Sequence, residues 1–332
     1  MPKKIIVNKF GGGILIKSFI PLMVEQLREQ IKDGFQPVVV ISAFPGVTDE
    51  LLKISDETFL KQFKEKNLQA MKDIGFNAEW QKKAEIELNK LFTEMEKDLK
   101  LSRNILANED KIVAYGEKLS ATIFTFYLNM LGLPAQRFLA EEIPIITDDN
   151  FKNADIIYEI SKENIQKNLQ EKIYNSKRIS VIPGFTGKTK KGETTTLGRG
   201  GTDTTACFIG SALLAHKIIL WKDVGGVFSA DPKITPEVKT LPIISYEEAE
   251  KAGKIIHNKA VQYVKLFNTP LEIVSIINPK LKTKVGKNKN RYSKLRNINF
   301  FSVQNFLSLK IPEILGSSAS KPLQKVIFRN SK

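Results

Sequence analysis

Three glycines, an arginine and an aspartate fall within six residues at Gly198-Arg199-Gly200-Gly201-Thr202-Asp203. Glycines expose successive backbone N–H groups, and a helix opening from such a loop makes an anion site. Thr202 and Asp203 suit N-cap positions for that helix. Arg199 adds a planar fork of donors matched to a carboxylate or phosphate. A second glycine loop stands near the start, at Lys9-Phe10-Gly11-Gly12-Gly13. A lysine at a strand end followed by glycines can hold phosphate oxygens while backbone amides line them. The loop lacks the Gly-x-x-x-x-Gly-Lys-Ser/Thr spacing and the Gly-x-Gly-x-x-Gly dinucleotide fingerprint. Glu117, in Gly116-Glu117-Lys118-Leu119-Ser120, opens another helix, where a carboxylate meets the positive end of the dipole. The segment from Trp221 to Lys233 follows a strand, which puts its polar groups at the strand's carboxyl edge, where open α/β sheets bind ligands.

These loops need a frame. Lys4-Ile5-Ile6-Val7, Val38-Val39-Val40-Ile41, Ile179-Ser180-Val181-Ile182, Ile218-Ile219-Leu220-Trp221 and Leu271-Glu272-Ile273-Val274 read as buried strands. Residues 19–31 carry a helical stripe, Phe19, Leu22, Met23, Leu27 and Ile31. Continuous apolar strands alternating with amphipathic helices predict a parallel sheet covered on both faces. Residues 56–111 are charge-mixed and nearly free of Gly and Pro, so they predict a helical insertion of two or three helices. Lys190-Lys191-Gly192 reads as a hairpin tip, Thr194 to Asp203 as a loop, residues 245–254 and 257–267 as helices, and Lys280 to Arg291 as a basic linker. One alternating stretch, Asn299 to Leu309, follows.

Composition narrows the chemistry. The chain has 332 residues, a formal charge of +15, one cysteine (Cys207) and two histidines (His216 and His257). No disulfide scaffold or His/Cys-rich metal cluster fits that inventory. Apolar runs are strand-length, as in Pro37 to Phe44, so no membrane partner is expected. No signal-peptide core follows Lys3-Lys4, which predicts a cytoplasmic protein. Residues 280–332 hold +12 of the net charge. That tail has no aromatic–basic repeat, so it reads as a solvated basic surface and nucleic acid is not an expected partner.

In order along the chain, Lys9-Phe10-Gly11-Gly12, Val40-Ile41-Ser42-Ala43, Gly46-Val47-Thr48, Gly116 to Ser120, Ile146-Thr147-Asp148, Pro183-Gly184-Phe185-Thr186-Gly187, Thr196 to Asp203, Trp221-Lys222-Asp223-Val224, Ala230-Asp231-Pro232 and Gly253-Lys254-Ile255-Ile256-His257 are similar to the motifs of the aspartate kinases, members of the amino-acid kinase superfamily. The Thr-Leu-Gly-Arg-Gly-Gly-x-Asp block is the most specific of them. The resemblance implies a three-layer α/β/α fold with a mainly parallel central sheet, and a catalytic domain over 1–280. It implies phosphorylation of the side-chain carboxylate of L-aspartate by ATP and Mg²⁺, the first step toward lysine, threonine, methionine and diaminopimelate. Lys9, with Gly11 and Gly12, would hold the transferred phosphoryl group, and Asp203 would organise the site. Ser42, Thr48, Glu117, Arg199, Gly200, Gly201 and Thr202 would line the aspartate site. Lys222, Asp223, Phe228, Lys233, Lys254 and Ile255 would contact ATP, with Mg²⁺ carried on its phosphates rather than on a protein metal site. A homodimer or larger assembly is implied as well.

Residue chemistry fits that division. Arg199 suits the α-carboxylate of aspartate and Glu117 its ammonium. The nucleophile is already an ionised carboxylate, so no strong base is needed. The sequence departs from the family pattern at Gly13, Pro45, Lys222, Phe228, Lys233 and Asn258. Three alternatives stay open: a superfamily member acting on another substrate, a catalytically weak paralogue with a binding role, and, least favoured, nucleic-acid binding through the basic tail. Residues 281–332 are short for the family's paired regulatory domains and read as a linker plus a truncated remnant of one. Weak or absent feedback inhibition is the expectation.

Overall fold

The computed structural model describes residues 4–54, 57–101, 105–228, 239–251 and 255–287. In chain order they form β1 (Ile5–Phe10), α1 (Ile20–Lys32), β2 (Gln36–Ile41), α2 (Val47–Lys53), α3 (Glu57–Asp73), α4 (Ala78–Leu99), α5 (Leu106–Val113) and α6 (Tyr115–Met130). Then come β3 (Ala135–Arg137), β4 (Ile146–Thr147), α7 (Tyr158–Ile165), α8 (Glu171–Asn175), β5 (Ile179–Pro183), β6 (Thr186–Thr189), β7 (Thr194–Thr196) and α9 (Gly201–Ala212). The last are β8 (Lys217–Lys222), β9 (Ile243–Ile244), α10 (Tyr246–Lys251), α11 (Asn258–Phe267), β10 (Leu271–Ser275) and β11 (Lys282–Val285).

The main sheet has the order β3-β5-β2-β1-β8-β10-β11-β9. Every neighbouring pair is parallel except β10 with β11. Strand alternation sorts two cores. Ile6, Phe10, Val39, Ile41, Ile219 and Trp221 face α1, α4 and α6, while Ile5, Val7, Val38, Val40, Ile218 and Leu220 face α7, α9 and α11. Both faces are therefore apolar, which is why these strands read as continuous hydrophobic runs. The expected three-layer α/β/α architecture is present.

β1 sits between β2 and β8, and the chain winds outward from it in both directions. This is the switch point at which an open sheet leaves a crevice beyond its strand ends. A second sheet, β4-β6-β7, carries the Lys190-Gly192 turn between antiparallel β6 and β7. The helical insertion appears as α3, α4 and α5, and α4 packs against α6 through Leu88, Leu91, Phe92 and Met95.

Two expectations change, and one region had none. The residues expected as a loop from Thr194 begin with a strand, because Thr186 to Lys188 supply its pairing partner. The basic linker contains β11, which pairs with β10 through alternating buried Thr283 and Val285. The helices of Tyr158–Asn175, joined by a π turn, were not legible as elements. Their apolar positions Ile165, Leu169 and Ile173 bury against the α9 face. The stretch Asn299 to Leu309 lies outside the described residues.

Candidate active site

A cleft of about 640 Å³ opens at the carboxyl ends of β1, β2 and β5, lined among others by Lys9, Ser42, Thr48, Glu117 and the run from Arg199 to Asp203. Lys9 and Arg199, 190 residues apart in sequence, thus meet in one crevice.

Lys9 reaches it by strand alternation. Asn8 points to the α1 face, where its amide exchanges hydrogen bonds of 2.8 Å with Gln30 and its Oδ1 accepts from Trp221 Nε1 at 2.9 Å. Lys9 consequently shares the face of Val7 and meets α9. Its Nζ lies 2.7 Å from Asp203 Oδ1, at an angle that leaves this oxygen without a hydrogen bond. Lys222, ending β8, donates to Asp203 Oδ2 at 3.2 Å. One buried carboxylate therefore joins the ends of two neighbouring strands. Burial opposes its ionisation, but the Lys222 and Lys9 ammoniums hold its pKa down to about 2. Burial likewise pushes the Lys9 pKa down, while Asp203 pulls it up and Lys222 adds a further lowering.

Gly11 makes room for this ammonium: a Cβ there would lie 2.6 Å from Lys9 Nζ. A Cβ at Gly12 would sit 3.1 Å from the Ala43 carbonyl. Gly200 caps α9 at φ +74, with no side-chain capping bond. Thr202 and Asp203 are thus not the caps expected of them. They occupy the first turn, where Asp203 is directed to the lysines. Gly200 also packs closely on His257, whose side chain a Cβ there would meet at 2.5 Å.

Glu117 lies in the first turn of α6 and is 2% exposed. Its Oε1 accepts the Ala43 N–H at 3.1 Å, and its buried Oε2 has no hydrogen-bond partner. Burial raises its pKa to about 8, against the lowering effect of the Ala43 and Ser42 hydrogen bonds. Ser120, one turn on, accepts the Phe44 N–H at 3.0 Å, so α6 holds the β2–α2 connection at two points. Arg199 is solvent-exposed and forms no ion pair with a carboxylate among the described residues.

The nucleotide side is less gathered. Lys222 joins the cluster through Asp203, but Asp223 and Phe228 continue along the loop after β8 and do not line the cleft. Burial raises the Asp223 pKa. Phe228 forms a β-bridge with Thr240. Ile255 is 5% exposed in the core on the α9 face, a packing position. Lys233 and Lys254 lie outside the described residues.

Sequence reasoning missed several lining residues, notably Asp110 and Lys152, and gave no role to Phe185, which stood within a matched motif. Asp110 is 2% exposed. Its Oδ2 accepts the N–H groups of Lys152 at 2.8 Å and Thr196 at 2.7 Å, and its Oδ1 accepts the Thr196 hydroxyl at 3.0 Å. It thereby ties α5 to the strand that leads into Arg199. In the sequence it stood among Asn108 and Glu109 and looked like one more solvated helix acid; nothing marked Lys152 at all.

A profile described as the Amino acid kinase family matches residues 4–275. The aspartokinase of Rickettsia felis is 29% identical over 321 residues, covering 93% of this chain and 68% of its own length. Aspartokinase 2, chloroplastic, of Arabidopsis thaliana is 30% identical over 289 residues, covering 82% of this chain and 52% of its own. The chain thus spans between about half and two thirds of such relatives. Among solved structures, E. coli aspartokinase III in complex with aspartate and ADP superposes with a TM-score of 0.73 at 22% identity, over 86% of this chain and 65% of that one. The same enzyme in complex with lysine and aspartate gives 0.74 at 23%, over 86% and 66%.

Proposed function

Because the chain belongs to the amino acid kinase family, we propose that it is an aspartate kinase, transferring the γ-phosphoryl group of ATP to the side-chain carboxylate of L-aspartate. The observation that carries the reading is the convergence of Lys9, Glu117 and Arg199 on one cleft. Relatives named aspartokinase add to it.

In this reading Arg199, free of a protein partner among the described residues, takes the α-carboxylate of aspartate. The partnerless Oε2 of Glu117 takes its ammonium, and Ser42 and Thr48 complete the wall. The side-chain carboxylate then points toward Lys9. One of its oxygens forms the bond to the γ-phosphorus as the bond to the leaving ADP oxygen breaks. No protein base is required, since the nucleophile arrives ionised. What remains is alignment and charge neutralisation. Lys9 supplies a buried cation over Gly11, Lys222 lies across Asp203 from it, and the N-terminus of α9 adds its dipole.

The donor set suits Mg²⁺ that arrives with the nucleotide. Asp203 is committed to two ammoniums, and no group of three or more His, Cys, Asp or Glu side chains among the described residues is arranged to hold a metal. Bound on the phosphates, the ion would offset charge on the transferring group. Asp223, Phe228, Lys233, Lys254 and Ile255 are proposed for the nucleotide side. The assembly is proposed as a homodimer or larger. No helix of the described residues is long and apolar enough to cross a membrane.

The test is purified protein with ATP, Mg²⁺ and L-aspartate, trapping aspartyl phosphate with hydroxylamine. Wild type is expected to form the hydroxamate, and Lys9→Ala to lose about 100-fold or more in rate. Hydroxamate from another carboxylic amino acid but not from aspartate would reassign the substrate. No product from any would favour the binding-protein alternative.

A further inference from the structure

Resting on the reading of the cleft as an aspartate site, we propose that Lys152 is a second cationic contact for the substrate's carboxylates and a determinant of affinity for L-aspartate. The first reason is backbone strain in an informative place. Lys152 has φ +67, a conformation that costs an L side chain energy. Among the described residues four non-glycines adopt it, and two of these, Lys152 and Phe185, line this cleft. Strain of this kind persists where surrounding bonds over-determine it, and it gathers at ligand sites. Here the Asp110 carboxylate is the constraint, since it holds the Lys152 N–H at 2.8 Å.

The second reason is position. The same Asp110 oxygen holds the Thr196 N–H, three residues before Arg199. Gly198, at φ +72, packs so closely on this corner that a Cβ would lie 2.5 Å from Asn153 Oδ1 and 3.1 Å from the Lys152 carbonyl. The corner bearing Lys152 and the loop bearing Arg199 are thus one packed unit, fixed by one buried carboxylate.

The third reason is charge. The cleft is lined by five acidic side chains, Asp49, Glu109, Asp110, Glu117 and Asp203, with burial disfavouring the charge on Asp110 and Glu117, and by three basic ones, Lys9, Lys152 and Arg199. Lys9 is already matched to Asp203. A substrate with two carboxylates, set beside a polyphosphate, needs more positive charge than Arg199 alone brings. Lys152 has it to give: its Nζ pairs with Glu109 Oε2 at 2.9 Å, and the side chain is 49% exposed. An ion pair this open to water exchanges partners readily. Aspartate would draw the ammonium from Glu109 onto its own carboxylate, and no covalent step is involved.

The experiment measures kcat, KM for L-aspartate and thermal unfolding for the full chain and three variants. Lys152→Met keeps the stem and the left-handed corner but removes the charge. It is expected to raise KM about tenfold with kcat within about twofold, the pattern of a lost binding contact. Lys152→Arg is expected to recover most of that loss. Lys152→Gly is expected to share the KM rise yet unfold at a higher temperature than wild type, since glycine adopts φ +67 without strain. Wild-type KM in Lys152→Met overturns the proposal, and so does a fall in unfolding temperature for that variant with KM unchanged, which would make the Glu109 pair purely structural. Both results leave the aspartate kinase reading standing. Wild type that forms no aspartyl phosphate overturns both.

Discussion

Glu117→Gln should make the protein more stable above neutral pH and poorer at holding its substrate. Glutamine keeps the oxygen that accepts the Ala43 N–H at 3.1 Å and places an amide where the partnerless Oε2 now lies. Burial raises the pKa of Glu117 from 4.5 to about 8. Between these values the folded chain holds a proton that the unfolded chain has released, so the slope of stability against pH is negative. At about 1.4 kcal/mol per pH unit, the whole interval amounts to about 5 kcal/mol. Wild type should therefore lose stability relative to the variant from pH 4.5 upward, the difference levelling near pH 8. Urea unfolding of both proteins at half-unit steps from pH 5 to 8.5 isolates this group, because every other titration is shared. The KM for aspartate in the variant should rise about 10- to 100-fold, as expected for losing a charge-assisted bond to the ammonium. Stability curves that stay parallel across the window would refute the reasoning, and so would an unchanged KM.

Asp203→Asn removes the counter-charge from two lysines at once. It should cost about 3 kcal/mol in urea unfolding and most of the turnover, and the acid limb that Asp203 contributes, present above pH 4 and lost as pH falls toward 2, should vanish. Gly11→Ala is tolerated by the backbone, since φ −85 suits alanine, so any loss in urea unfolding should come only from the displaced Lys9–Asp203 pair and stay below that of Asp203→Asn. By displacing the Lys9 ammonium it should lower kcat about 100-fold. Asn8→Ala strips the partner from Gln30 and Trp221 inside the α1-side core. About 3 kcal/mol of stability should be lost, measured by urea unfolding, because buried donors are left unpaired.

The five buried strands were legible because each is rich in Val, Ile and Leu and buried on both faces, and parallel sheets leave few other readings for such segments. The glycine loops were legible because close backbone approach admits little else, and those around Lys9 and Arg199 do converge. The short strands β4, β9 and β11 were not, since a two- to four-residue strand is defined by its partner rather than by its own pattern. Asp110 was invisible for a related reason. Its role is created by the amides of Lys152, in a turn 42 residues away, and Thr196, at the end of β7 86 residues away. Sequence spacing reports what a residue's neighbours along the chain demand of it, and Asp110 answers to neighbours in space.

Asp203 shows how the fold can hold two lysines of neighbouring strands beside one buried carboxylate. A lone lysine as buried as Lys9 would tend to shed its proton, because burial disfavours the charged form. A lone buried aspartate would tend to gain one. Between Lys9 and Lys222 the carboxylate stays ionised, and its charge in turn opposes the lowering that burial imposes on the Lys9 pKa. With both lysines protonated, one acid between them leaves the cluster with net positive charge. An arriving phosphoryl group can therefore interact with Lys9 while Lys222 keeps Asp203 paired. Replacing either lysine by a neutral residue would bring the cluster to zero charge, so each should weaken nucleotide binding even though only Lys9 lines the cleft. Comparable losses of ATP affinity in Lys9→Met and Lys222→Met would support this account, whereas full affinity in Lys222→Met would break it.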